Sequence, residues 1–115
     1  MIYDDMIGRP YSEMRCLSAV LEVLRRMGRD VPSSAEDAAA QWGSDPGVDW
    51  HRLGTTVASA ECVGDVVHTD PLDGREASVF VRVGNGRALT STPERGVCIV
   101  RLRDIPEPLT VWRLA

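Results

Sequence analysis

Residues 9–28 read RPYSEMRCLSAVLEVLRRMG, and this stretch decides what the rest of the chain packs against. From about Met14 to Met27 it has helical periodicity. Cys16, Leu17, Ala19, Val20, Leu21, Val23, Leu24 and Met27 are apolar, while Ser18, Glu22, Arg25 and Arg26 form a narrow polar stripe. So wide an apolar surface predicts a mostly buried helix. Gly28 supplies the stop. Cys16 stands at the start of this helix. A cysteine in that position can act as a nucleophile, because the partial positive charge of a helix N-terminus stabilises a thiolate.

Working outward, a second and shorter helix follows. Ser33 and Glu36 have capping-box spacing, AEDAAAQW (35–42) is the helical run, and Gly43 ends it. EDAAAQ gives one solvated face and one alanine-rich packing face. Residues 44–56, SDPGVDWHRLGTT, are a turn-rich connection, with one helical turn expected at Asp49 to Leu53. From Cys62 onward the period changes. The runs CVGDVVH (62–68), ASVFVRVG (77–84), RALTST (87–92), GVCIVRL (96–102) and LTVWRLA (109–115) read as strands. Gly84-Asn85-Gly86 is a hairpin signal, and DPLDGRE and TPERG are further turns. Helices first and then about five antiparallel strands predict a single α+β domain over residues 1–115, with the N-terminal helices packed on a C-terminal sheet. The last run, if its edge is open, can pair with a neighbouring subunit.

Bulk properties bound the function. The chain has 115 residues, 43% hydrophobic and 26% charged, with a net charge of −4. One domain of that length can bury a core. All thirteen cations are arginines, and they are not clustered as phosphate neutralisation requires, so no nucleic-acid partner is expected. No apolar run approaches the roughly 18 residues of a membrane span. Asp4 and Asp5 interrupt any signal-peptide pattern. The expected location is therefore the cytoplasm, or a larger assembly built there.

Three cysteines, Cys16, Cys62 and Cys98, are widely spaced and include no Cys-x-x-Cys pair, so no disulfide framework is expected. A zinc site would need ligands from among Cys16, His51, Cys62, His68 or Cys98 to converge from separate elements, which is not the paired spacing of structural sites. Asp4, Asp5, Asp70 and Asp73 show no metal-loop spacing. No cofactor or metal is expected. Cys98, inside an apolar strand, reads as a core thiol. Trp42, Trp50 and Trp112 are too scattered for an aromatic platform and read as core or interface residues.

At four places the chain resembles the NlpC/P60 family of papain-like cysteine peptidases, in the compact form found among bacteriophage tail-associated proteins. IGRPY (Ile7 to Tyr11) is similar to the Gly-x-Pro-Tyr entry segment. CLSAVLEVLRRMG is similar to the nucleophile helix. GDVV (Gly64 to Val67) is similar to a Gly-Asp-Leu-Val strand opening. SVFVRVGNGRALTST is similar to the stretch that usually reads His-Val-Gly-Ile-x-Val-Gly-x-Gly, followed by a second polar residue. The similarity covers most of the chain, and its order and spacing carry it more than any single motif.

The resemblance implies positions. The nucleophile position holds Cys16, and Tyr11 falls near the oxyanion region. The base histidine lies six residues before the glycine that closes its strand; counting back from Gly84 reaches Ser78. The third triad residue lies twelve residues after the base, at Thr90. SEMR (12–15) replaces a Gly-rich loop ending in Asp, which reshapes the groove. Neither Ser78 nor Thr90 can protonate a leaving amine at pH 7. General acid–base help is typically worth roughly 10²–10⁴-fold, so hydrolysis should fall to a residual level. A relocated base is the alternative: His68, just beyond GDVV, or His51, beside Trp50. The bland readings are a strand-end His68, a surface or capping His51 and a Cys16 kept for packing.

Two functions follow as expectations. One is a catalytically degenerate domain with a structural or assembly role among other phage tail or particle proteins, in a tail tip or baseplate. The other is an active peptidase or amidase acting on peptidoglycan peptides, with Cys16 as nucleophile and a histidine from elsewhere as base. A third and weaker expectation is a module that binds such peptides without cleaving them.

Overall fold

A computed structural model of the chain describes residues 1–42, 50–71 and 76–115, with the backbone alone at 41 and 42. Two helices precede the sheet, α1 (Cys16–Arg26) and α2 (Ala35–Trp42). The strands are β1 (Gly54–Val57), β2 (Val66–Thr69), β3 (Val79–Gly84), β4 (Arg87–Thr92), β5 (Gly96–Arg101) and β6 (Leu109–Leu114). They form one sheet in the order β1-β6-β2-β3-β4-β5, with every pairing antiparallel. The architecture is thus α+β, an N-terminal helix on a six-stranded antiparallel sheet.

The helix of residues 14–27 begins two residues later than its periodicity suggests. The amides of Glu13 and Met14 both donate to the Pro10 carbonyl, and Arg15 is extended at φ −74°, ψ 170°. That turn consumes the residues that would otherwise form the first helical turn. The far end closes as the sequence predicts. The Gly28 N–H donates to Arg25 and the Arg29 N–H to Leu24, with Gly28 left-handed at φ 88°. This is a Schellman cap. For α2 the cap lies one residue on from the predicted Ser33: the Asp37 amide donates to Ser34 Oγ at 3.1 Å, and Ser33 Oγ bonds the Asp37 carboxylate. The Gly43 stop lies outside the described residues, as does part of the DPLDGRE turn.

Two apolar layers flank the sheet. Ala19, Val20, Leu21, Val23 and Leu24 of α1 are buried against Val66, Val79, Val81, Val83, Leu89, Val97, Trp112 and Leu114. The helix packs chiefly on β3 and β4. On the opposite face Val67, Phe80, Ala88, Ile105 and Val111 form a smaller cluster, covered by the segments around Ala60 and Leu102. Cys98 is buried, as a core thiol should be, and so are Trp50 and Trp112; the Trp42 side chain is not described.

The sheet has one strand more than expected. Gly54–Val57, within the predicted turn-rich connection, pairs with β6. A single 3₁₀ turn, Trp50–Arg52, precedes it where a helical turn was expected. The 62–68 run is strand only from Val66, because Cys62–Asp65 is a turn closed by the Asp65 amide on the Cys62 carbonyl.

Candidate functional site

Cys16 is the first residue of α1, half-buried against the main core. No side chain caps the helix there and no acidic residue occupies its first turn, so the positive end of the helix dipole is unopposed at the thiol. Tyr11 is half-buried, and the Arg15 guanidinium lies over its ring, 5.3 Å from the centroid. The segment around Gly8 and Arg9 is tied to β5: the Gly8 amide donates to the Val97 carbonyl at 2.8 Å and the Val97 amide donates to the Arg9 carbonyl at 2.9 Å. Gly96 is left-handed at φ 69°, and a Cβ there would overlap the Arg9 carbonyl. Only glycine lets this segment approach so closely.

Strand alternation places the other candidates. Directly paired residues share a face. Val81 pairs with Leu89, and both contact α1, so Val79 and Ser91 face the helix as well. Phe80 and Ala88 belong to the opposite cluster, and Ser78 and Thr90 share their parity. Thr90 pairs with Cys98, and its hydroxyl is fully buried and donates to the Val79 carbonyl at 2.8 Å. The Ser78 amide donates to Thr69 Oγ1 at 2.9 Å. Both residues thus lie on the sheet face away from Cys16, and the hydrogen bonds described tie them into the ladder.

The histidines differ. His68 pairs with Val79 and shares the face of Val66, the helix side. The helix C-terminus sits over the start of β2, where Met27 Sδ would be 3.7 Å from a Cβ at Gly64. The end of β2 that carries His68 therefore lies toward the Cys16 end of α1. Burial lowers the pKa of the His68 imidazole below its usual value, with Asp70 pulling more weakly the other way. His51 is exposed on the 3₁₀ turn, with its ring edge-on to Trp112 at 4.5 Å between centroids. Among the described residues, Cys16 Sγ has no hydrogen bond to either imidazole.

Two features were not singled out from sequence. Ser91 is buried on the helix face with no partner for its Oγ among the described residues; the parity of Leu89 could have flagged it. Asp65, quoted only as part of GDVV, is buried and accepts two hydrogen bonds from Arg113, at 3.1 Å from Nε and 2.9 Å from Nη2. It also accepts the Cys62 amide at 2.9 Å. Burial alone would raise the Asp65 carboxyl; the Arg113 guanidinium and the turn amides outweigh it, and the net shift is downward. Nearby, Arg82 donates to the Ala60 carbonyl at 2.6 Å. These two arginines fasten the 58–65 loop to the sheet.

Among the described residues, no three His, Cys, Asp or Glu side chains cluster as metal ligands, and no helix is long and apolar enough to cross a membrane. The class defined by these observations is an α+β domain with a half-buried cysteine at the N-terminus of its sheet-packed helix. No protein-family model and no curated protein sequence matches the chain.

Proposed function

We propose that this chain is a catalytically degenerate NlpC/P60-like domain with a structural or assembly role, in the setting of a bacteriophage tail tip or baseplate and among other particle proteins. The observation that carries the degenerate reading is the state of the Cys16 thiol. It has the helix N-terminus a nucleophile needs but, among the described residues, no imidazole bonded to it. The positions that the resemblance assigns to base and orienter are occupied by Ser78 and Thr90, which lie across the sheet. A nucleophile with neither base nor proton donor supports little amide cleavage. The phage setting rests on the resemblance alone.

One observation favours the second reading, a cysteine peptidase or amidase acting on peptidoglycan peptides. His68 lies on the helix face, toward the Cys16 end, and its burial favours the neutral imidazole that a general base requires. Incubation of the protein with soluble peptidoglycan stem peptides tests both. The degenerate reading expects no cleavage above a Cys16→Ala control. Turnover that is lost in both Cys16→Ala and His68→Ala would replace it with the peptidase reading.

A further inference from the structure

β5 is an edge strand, and among the described residues only its first residues are covered. The Val97 amide and carbonyl face outward and are paired with Arg9 and Gly8. In an antiparallel ladder the outward-facing residues alternate. Ile99 therefore presents its N–H and C=O, and Arg101 its N–H, on the same side, and among the described residues no other segment pairs with them; the Arg101 carbonyl is taken by the 3₁₀ turn Leu102–Asp104 that it caps. Beside this edge lies a depression of about 290 Å³. Phe80, Val100 and Ile105 form its apolar floor, with Arg95, Arg101 and Asp104 around it.

The charge there runs against the chain's net of −4. Arg87 stands directly opposite Arg101 across the β4–β5 ladder. Like charges so placed repel. Arg87, Arg95, Arg101 and Arg103 have no ion-pair partner among the described residues, although Glu94 and Asp104 are close in sequence. An open strand edge, an apolar floor and unneutralised arginines together define a receptor for an extended segment carrying carboxylates.

We propose that the outer edge of β5, from Ile99 to Arg101, docks an extended acidic segment of a partner protein as a seventh strand. Its backbone would pair with the N–H and C=O of Ile99 and the N–H of Arg101, an apolar side chain would enter the depression, and carboxylates would face Arg95 and Arg101. A second copy of this chain fits worse, because β5-to-β5 pairing brings two sets of arginines onto one ladder. The proposal does not depend on the state of Cys16, and its test does not use the thiol.

The probe is a capped hexapeptide alternating Glu and Val, with a Lys–Val counterpart, followed by NMR and by amide exchange. The Glu–Val peptide should bind with an affinity that falls as salt rises, and at saturation should slow exchange at the Ile99 and Arg101 amides at least about tenfold. Arg101→Ala should weaken binding about two- to fivefold through lost charge. Arg101 has φ −81°, which proline tolerates. Arg101→Pro also removes the outward N–H and should weaken binding further; Arg95→Ala with Arg101→Ala provides a second variant without proline. The proposal is overturned if the two peptides bind alike, if neither binds at millimolar concentration, or if Ile99 and Arg101 exchange is unchanged on binding. Concentration-dependent protection of those amides without peptide would assign the edge to a second copy. Tighter binding of oligothymidylate than of the Glu–Val peptide would assign it to nucleic acid.

Discussion

Replacing Arg113 with Ala tests how the loop before β2 is held. In the folded chain the Asp65 side chain is 2% exposed and the Arg113 side chain 38%. The substitution removes both guanidinium hydrogen bonds and leaves the carboxylate with the Cys62 amide. Removing one partner of a fully buried pair typically costs about 3–5 kcal/mol. Arg113 is more than a third exposed, so solvent already screens it, and about 2–3 kcal/mol is expected at neutral pH. For a domain of this size that lowers Tm by about 8–12 °C. The pH dependence follows from the directions of the shifts. In the native chain the Asp65 carboxyl is held below its usual range, so its contribution is present above about pH 4 and is lost as pH falls through the lowered value. In Arg113→Ala, burial dominates and the carboxyl rises; its cost is greatest at neutral pH and is relieved as it protonates. The stability gap between the two proteins should therefore be widest near pH 7 and close toward pH 3. Urea unfolding of wild type, Arg113→Ala, Asp65→Ala and the double variant at pH 7, 5 and 3.5 measures the gap and the coupling. A gap under about 0.5 kcal/mol at pH 7, or an equal gap at pH 3.5, refutes the reasoning.

Gly96→Ala places a methyl group against the Arg9 carbonyl at a left-handed φ. It should cost about 2 kcal/mol or more and speed amide exchange at Gly8 and Val97 relative to the α1 core; unchanged exchange would show that the pairing of Gly8 and Arg9 with β5 does not depend on this glycine. His68 is held below its usual titration range by burial, so the unfolded chain binds its proton more readily. Stability should decline as pH drops below about 6.5 and level off once the buried imidazole also protonates, and His68→Gln should flatten that decline in urea titrations between pH 7 and 5.

The buried helix was legible because its apolar residues cover most of its circumference, and a tight turn on Pro10 set its true start. The β3–β4 hairpin was legible from Asn85-Gly86, where Gly86 takes φ 62°. β1 was not. It has only four residues, two of them exposed threonines, and its partner β6 lies far along the chain. No alternation announces such an edge strand. The α2 cap was missed by one residue because Ser33 and Ser34 are adjacent and chemically equivalent. The faces of the candidate site were hidden for a different reason. Val79, Phe80 and Val81 are all buried, since β3 is covered on both sides. An apolar run without alternation does not say which parity meets the helix, so counting back from Gly84 reached Ser78 without giving its side of the sheet. Asp65 and Arg113 are 48 residues apart, and their pairing exists only in the fold.

The central proposal is that Cys16, at a helix N-terminus, has no catalytic partner among the described residues. Cys62 is exposed and Cys98 buried, so the chain carries its own reference thiols. Site-resolved mass spectrometry of iodoacetamide labelling at pH 6, in wild type, His68→Ala and His51→Ala, compares them directly. A degenerate site predicts that the half-buried Cys16 labels no faster than Cys62 and changes less than about twofold when either histidine is removed. Labelling of Cys16 at least about tenfold faster than Cys62, and lost in His68→Ala, would contradict it.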